Sequence, residues 1–193
     1  MTKYNYEQAL KYVVDRFAGR PDKSGYPEVL HSISVSIRLK KIFEMARAEN
    51  EAINRGDTNK EGNTLLYSFW QLYSIRYQYM TIAVLHDIVE DLHIDIDDIG
   101  ILFGEDISHR LIHMTNPGGN RNYKNYLNNL IAYGDNFMIV IKLCDISDNM
   151  DRLESLPRED REFLINKYTE ARKTLYAELK KRGYTDACDV KGL

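Results

Sequence analysis

Residues 81–92, Thr-Ile-Ala-Val-Leu-His-Asp-Ile-Val-Glu-Asp-Leu, form an apolar run that carries His86, Asp87, Glu90 and Asp91 with no Gly or Pro to interrupt it. The pattern predicts a helix. Residues four apart on a helix share a face, so His86 is expected over Glu90 and Asp87 over Asp91. The two stripes adjoin and give one polar patch on an otherwise apolar segment. Burying four ionisable groups among Ile, Val and Leu is costly unless they are paired or bind a cation. A cation accounts for them economically.

Composition sets the frame for that patch. With 193 residues, 44% hydrophobic and 28% charged, the chain suits one well-packed soluble domain and not a disordered polymer. Its formal charge of −3 gives no electrostatic reason to bind nucleic acid or an acidic membrane surface. An anionic small molecule would need a metal to supply positive charge locally. Cys144 and Cys188 make no disulfide framework, and Cys144, inside an apolar segment, reads as a small core residue. The N-terminal MTKYNYEQALKY has no signal pattern and no apolar run approaches membrane-spanning length, so a cytoplasmic protein is expected.

Apolar spacing predicts a first helix over 4–17, then a loop at Gly-Arg-Pro-Asp-Lys-Ser-Gly-Tyr-Pro. A second helix is expected from about Pro27 to Ala48, with Leu30, Ile33, Ile37 and Phe43 inward and His31 in its first turns. Residues 50–63 read as an exposed polar loop, and Phe69, Trp70, Tyr73 and Tyr77 as a helical core stripe within 65–79. Short helices are expected over 95–103, capped by Asp95 and stopped by Gly104, and over 106–114, with another running from Tyr123. The run Phe137–Ile141 alone suits a buried strand, which would put Asp145 at a strand end; the apolar period continues through Leu143, Ile146, Met150 and Leu153, which suits one long helix. Residues 158–181 read as a closing helix.

His31, His86, Asp87 and Asp145 together offer two imidazoles and two carboxylates from three separated helices. That donor set suits a divalent transition metal such as manganese or iron, and two cysteines exclude an all-thiolate zinc site.

The order H…HD…D resembles the HD-domain metal-dependent phosphohydrolases, an all-helical family. Four stretches narrow the likeness: LHDIVED at 85–91, KSGYPEVLH at 23–31, FGEDISHRLIHMT at 103–115 and KLCDISDNM at 142–150. They are similar to motifs of the (p)ppGpp hydrolase domain of RelA/SpoT-type proteins and their small stand-alone relatives. The resemblance implies a single all-α helical bundle in which His31, His86, Asp87 and Asp145 bind Mn2+ (or Fe2+). That ion would polarise a phosphate and acidify a bound water. It further implies that Glu90 and Asp91 orient or deprotonate the attacking water, that Lys23 and Ser24 contact a nucleotide, and that Asn149 lies near its sugar. The implied reaction is release of the 3′-pyrophosphate of ppGpp; the rivals are another nucleotide phosphohydrolase of the wider family and a weakly active nucleotide-binding regulatory module. Two departures stand out. Asp22 occupies the place of the family's usual Arg, so an Arg there is expected to improve guanosine-nucleotide affinity. His31 and His86 lie 55 positions apart, longer than is usual in the family, which marks 50–79 as an insertion able to reshape the pocket or build an oligomer contact.

Overall fold

The computed structural model describes residues 3–22, 25–56, 64–184, 187 and 190. Ten α-helices account for most of them: α1 (Lys3–Arg16), α2 (Val29–Asn54), α3 (Leu65–Gln71), α4 (Arg76–Leu85), α5 (Ile88–Leu92), α6 (Ile96–Phe103), α7 (Glu105–Met114), α8 (Tyr123–Tyr133), α9 (Asn136–Asp151) and α10 (Arg158–Lys181). Among the described residues there is no β-strand, only an isolated bridge between Pro21 and Pro27. The fold is an all-α bundle. No described helix is long and apolar enough to cross a membrane.

Two helices form the centre. Every residue of α4 from Tyr79 to Leu85 is buried, and so is α9 from Phe137 to Asp148 except Lys142. A helix that is apolar all round has to be surrounded by protein. α1, α2 and α7 pack on α4, while α2 and α10 pack on α9. The strand alternative for 137–141 fails for a local reason. Asp135 caps the segment, its Oδ1 accepting the N–H groups of Phe137 at 3.0 Å and Met138 at 2.9 Å, which commits the apolar run to a helix.

Several expected boundaries hold. Asp95 caps α6 by accepting the Asp97 N–H at 3.0 Å, and α10 spans the expected residues. Gly104, at φ 101°, takes a conformation that L side chains avoid and so separates α6 from α7.

Other expectations need correction. α2 continues six residues past Ala48, and its buried face is Val35, Leu39, Ile42, Phe43 and Ala46. Leu30 and Ile37, expected inward, are 44% and 45% exposed. The stripe is rotated because Ser32 and Ser36 are buried. Ser36 Oγ lies 2.5 Å from the Tyr6 hydroxyl, so a small polar side chain here serves the interior. The 65–79 segment is not one helix, since a 3₁₀ turn at Tyr73–Ile75 separates α3 from α4. Phe69 is nonetheless core, its ring centroid 4.8 Å from that of Phe43 and 4.5 Å from that of Phe137. The 81–92 run also breaks, at His86 and Asp87, and His93 ends α5 in the left-handed region at φ 51°.

Candidate metal centre

His31 stands in the first turn of α2, His86 and Asp87 in the break between α4 and α5, and Asp145 in the middle of α9. The mutual packing of α2, α4 and α9 brings these positions together. One donor atom from each of the four lies within 4.8 Å of the others.

His86, His31 and Asp145 are each held from outside the cluster. His86 is 2% exposed, and its Nδ1 sits 2.8 Å from the Ala83 carbonyl oxygen. A carbonyl only accepts, so Nδ1 carries the proton and Nε2 faces inward. That Nε2 is 3.0 Å from Asp87 Oδ2 and 3.7 Å from Asp145 Oδ1, yet it is buried without a hydrogen bond of acceptable geometry. His31 repeats the arrangement. Its Nδ1 is 2.8 Å from Asp148 Oδ2, and its Nε2 is 3.2 Å from Asp87 Oδ2 and 3.0 Å from Asp145 Oδ1. Asp145 Oδ1 accepts the Asn149 amide at 2.6 Å, and its Oδ2 pairs with Lys142 Nζ at 2.5 Å.

The electrostatics describe a site that demands positive charge. Burial alone would strip the proton from His86, but Asp87 and Asp145 overcome it and raise its pKa to about 9. His31 is likewise held well above the ordinary histidine value: burial opposes, and its hydrogen bonds to Asp145, Asp148 and Asp87 prevail. Burial works against ionisation of Asp145, yet Lys142 and then the two histidines keep its carboxyl well below the usual range. Without a metal, two imidazolium rings supply the charge these carboxylates need. A divalent cation satisfies the same need with the same four donor atoms, replacing the Nε2 protons of the two rings. The residues present therefore fit a divalent metal.

Glu90 and Asp91 flank the cluster on α5, and Asp91 stands one turn on from Asp87, its N–H donating to the Asp87 carbonyl at 2.8 Å. Glu90 turns to the loop after α7, where its Oε2 accepts the Asn116 N–H at 3.0 Å. Burial and the charge of Asp87 raise its pKa, against that hydrogen bond. Asp91 lines a cavity of about 180 Å3 together with Asp22, His31, Asp87, Asn149 and Arg152. Burial, Asp87, Glu28 and Glu90 push its pKa up to about 7.

Asp22 is held on three sides. Its Oδ1 accepts the Tyr26 N–H at 3.0 Å, its own N–H donates to the Tyr26 carbonyl at 2.7 Å, and its Oδ2 lies 3.4 Å from Arg152 Nη1. Lys23 and Ser24, expected to contact a nucleotide, lie outside the described residues. Lys142 and Arg152 were not read from sequence as site residues. Lys142, three positions before Asp145 on one helix, was legible as a pair; the Asp22–Arg152 contact spans 130 positions and left no local signal.

No family model matches the sequence, and no curated protein matches it. Among solved structures the chain is similar to a metazoan ortholog of SpoT that hydrolyzes ppGpp and plays a role in starvation responses. The two share 18% identity at a TM-score of 0.62, over 95% of this chain and 98% of that one. At that identity the likeness concerns architecture, and it spans nearly the whole of both chains. The all-α bundle described above is the fold of that ppGpp hydrolase.

Proposed function

We propose that this chain is a metal-dependent phosphohydrolase of a nucleotide, with guanosine 3′,5′-bispyrophosphate (ppGpp) as substrate and loss of the 3′-pyrophosphate as reaction. The observation that carries the reading is the convergence of His31, His86, Asp87 and Asp145, with donor atoms within 4.8 Å, beside two carboxylates of raised pKa. The fold shared with a ppGpp hydrolase supports the choice of substrate.

In this reading the four residues hold Mn2+ or Fe2+. Such an ion, when bound, polarises a phosphate oxygen and acidifies water. The chain's own groups do the rest. Asp91, with a pKa near neutrality and a place on the cavity wall, accepts the proton of the attacking water. Glu90, anchored by the Asn116 N–H, orients that water. Asn149 reaches the cavity while its amide steadies Asp145, and Lys23 and Ser24 are assigned to the nucleotide from the motif resemblance.

One observation favours a second reading. The carboxylate of Asp22 stands on the cavity wall where the resembling family carries a guanidinium, which suits a nucleotide other than ppGpp. The test is a product-resolved hydrolysis assay of ppGpp with Mn2+, run beside GTP, dNTPs and nucleoside monophosphates, with an EDTA control. Pyrophosphate release from ppGpp, abolished by EDTA, is expected. Metal-dependent turnover of another nucleotide alone would move the substrate and keep the mechanism. No turnover with metal bound would leave a nucleotide-binding module.

A further inference from the structure

The two imidazoles of the cluster are oriented by different means. His86 Nδ1 is held by the main chain at Ala83. His31 Nδ1 is held by a side chain, Asp148 Oδ2, at 2.8 Å, contributed from a helix 117 positions away. Asp148 is 4% exposed and is itself fixed from several directions. Ser34 Oγ donates to its Oδ1, Arg152 Nε donates to its Oδ2 at 2.7 Å, and Arg38 Nε stands 3.5 Å from its Oδ1. Ser34 follows His31 by three residues on α2, so both project from one helix face onto the two oxygens of one carboxylate.

We propose that Asp148 is the positioning residue for His31: it fixes the proton on Nδ1 and turns Nε2 toward the shared site. The proposal rests on the metal-centre reading and deepens it. A carboxylate can only accept, so an imidazole facing it must present Nδ1–H, which leaves Nε2 as the lone pair. A buried negative charge behind the ring also makes that nitrogen a stronger donor. Arg152 and Ser34 keep the carboxylate from turning inward to become a ligand itself. The line Arg152–Asp148–His31 thus joins the cavity wall to the cluster.

The test measures Mn2+ affinity by titration calorimetry for the wild-type chain and for Asp148→Ala, Asp148→Asn and Asp151→Asn. It is paired with 15N-imidazole NMR of the metal-free proteins. Asp151 is an exposed neighbour that pairs with Arg38 and serves as control. Asp148→Ala is expected to weaken Mn2+ binding by about 10–100-fold and to lose the exchange-protected His31 Nδ1–H signal. Asp148→Asn, isosteric and still an acceptor, is expected to keep that signal and fall between, and it stands in if the alanine variant does not fold. Asp151→Asn should match wild type. An unchanged Mn2+ affinity in Asp148→Ala would overturn the proposal. If the wild-type chain binds no Mn2+, the metal reading fails and the spectra still decide this one: a protected His31 Nδ1–H persisting in Asp148→Ala would refute it.

Discussion

Lys142→Met removes the ammonium that stands 2.5 Å from Asp145 Oδ2 and leaves a carboxylate that is only 4% exposed. Breaking a buried ion pair by deleting one partner costs about 3–5 kcal/mol, because the remaining charge stays desolvated. The lower end applies here, about 3 kcal/mol, since Asp145 Oδ1 keeps His31 at 3.0 Å and Asn149 at 2.6 Å. For a chain of this size about 1 kcal/mol moves Tm by about 2–4 °C, so the metal-free variant should melt about 6–12 °C below wild type. Mn2+ opposes that loss. Removing a positive charge from beside the cluster raises its affinity for a cation, and a ligand at about 100 times its Kd adds about 2.7 kcal/mol of stability. The deficit should therefore shrink markedly in Mn2+ and reappear in EDTA, read by thermal melts and urea titrations in both conditions. An equal deficit with and without Mn2+ would refute the reasoning, because Lys142 would then act on packing alone.

Four further outcomes follow from the same geometry. Glu90→Gln should bind Mn2+ like wild type and lose about 10²–10⁴-fold in turnover, and full activity would remove its assigned role. Phe69→Ala, which empties a ring from between Phe43 and Phe137, should cost about 3–5 kcal/mol in urea unfolding while Mn2+ affinity stays unchanged. For the metal-free protein, His86 is raised from 6.5 to about 9 and Asp91 from 3.8 to about 7. Groups raised on folding contribute stability below their unfolded values and lose it as pH rises through the folded ones. Melts in EDTA should therefore fall as pH climbs through 7 toward 9, while Mn2+ affinity rises over the same window as His86 gives up its proton. Asp22→Arg removes the acceptor for the Tyr26 N–H and sets a second guanidinium beside Arg152, so lower stability is expected to offset the gain in guanosine-nucleotide affinity expected from sequence alone. Melting the variant with and without GDP separates the two effects.

What was legible in the sequence had local causes. α6 and α10 carry their own signals, an Asp cap and a breaking Gly in one, a long run of helix formers in the other. α9 carried one too, since its apolar period runs on through Leu143, Ile146 and Met150, past the stretch that alone suited a strand. The inner face of α2 was not legible, because Ser32 and Ser36 look polar in sequence and are interior once Tyr6 and α9 close on them. Neither was the break at His86–Asp87, which no Gly or Pro announces. The four clustered residues were nameable through the motif resemblance, whereas the partners that orient them, Asp148 for His31 and Asn116 for Glu90, depend on tertiary contacts across 117 and 26 positions.

The most direct test of the central claim is the Mn2+ stoichiometry of the wild-type chain beside His86→Ala and Asp145→Ala, measured by equilibrium dialysis with metal analysis. The account predicts one Mn2+ per wild-type chain and loss of that ion in both variants. Stoichiometric Mn2+ retained by both variants would contradict it, because the cluster within 4.8 Å would then not be the place where the metal binds.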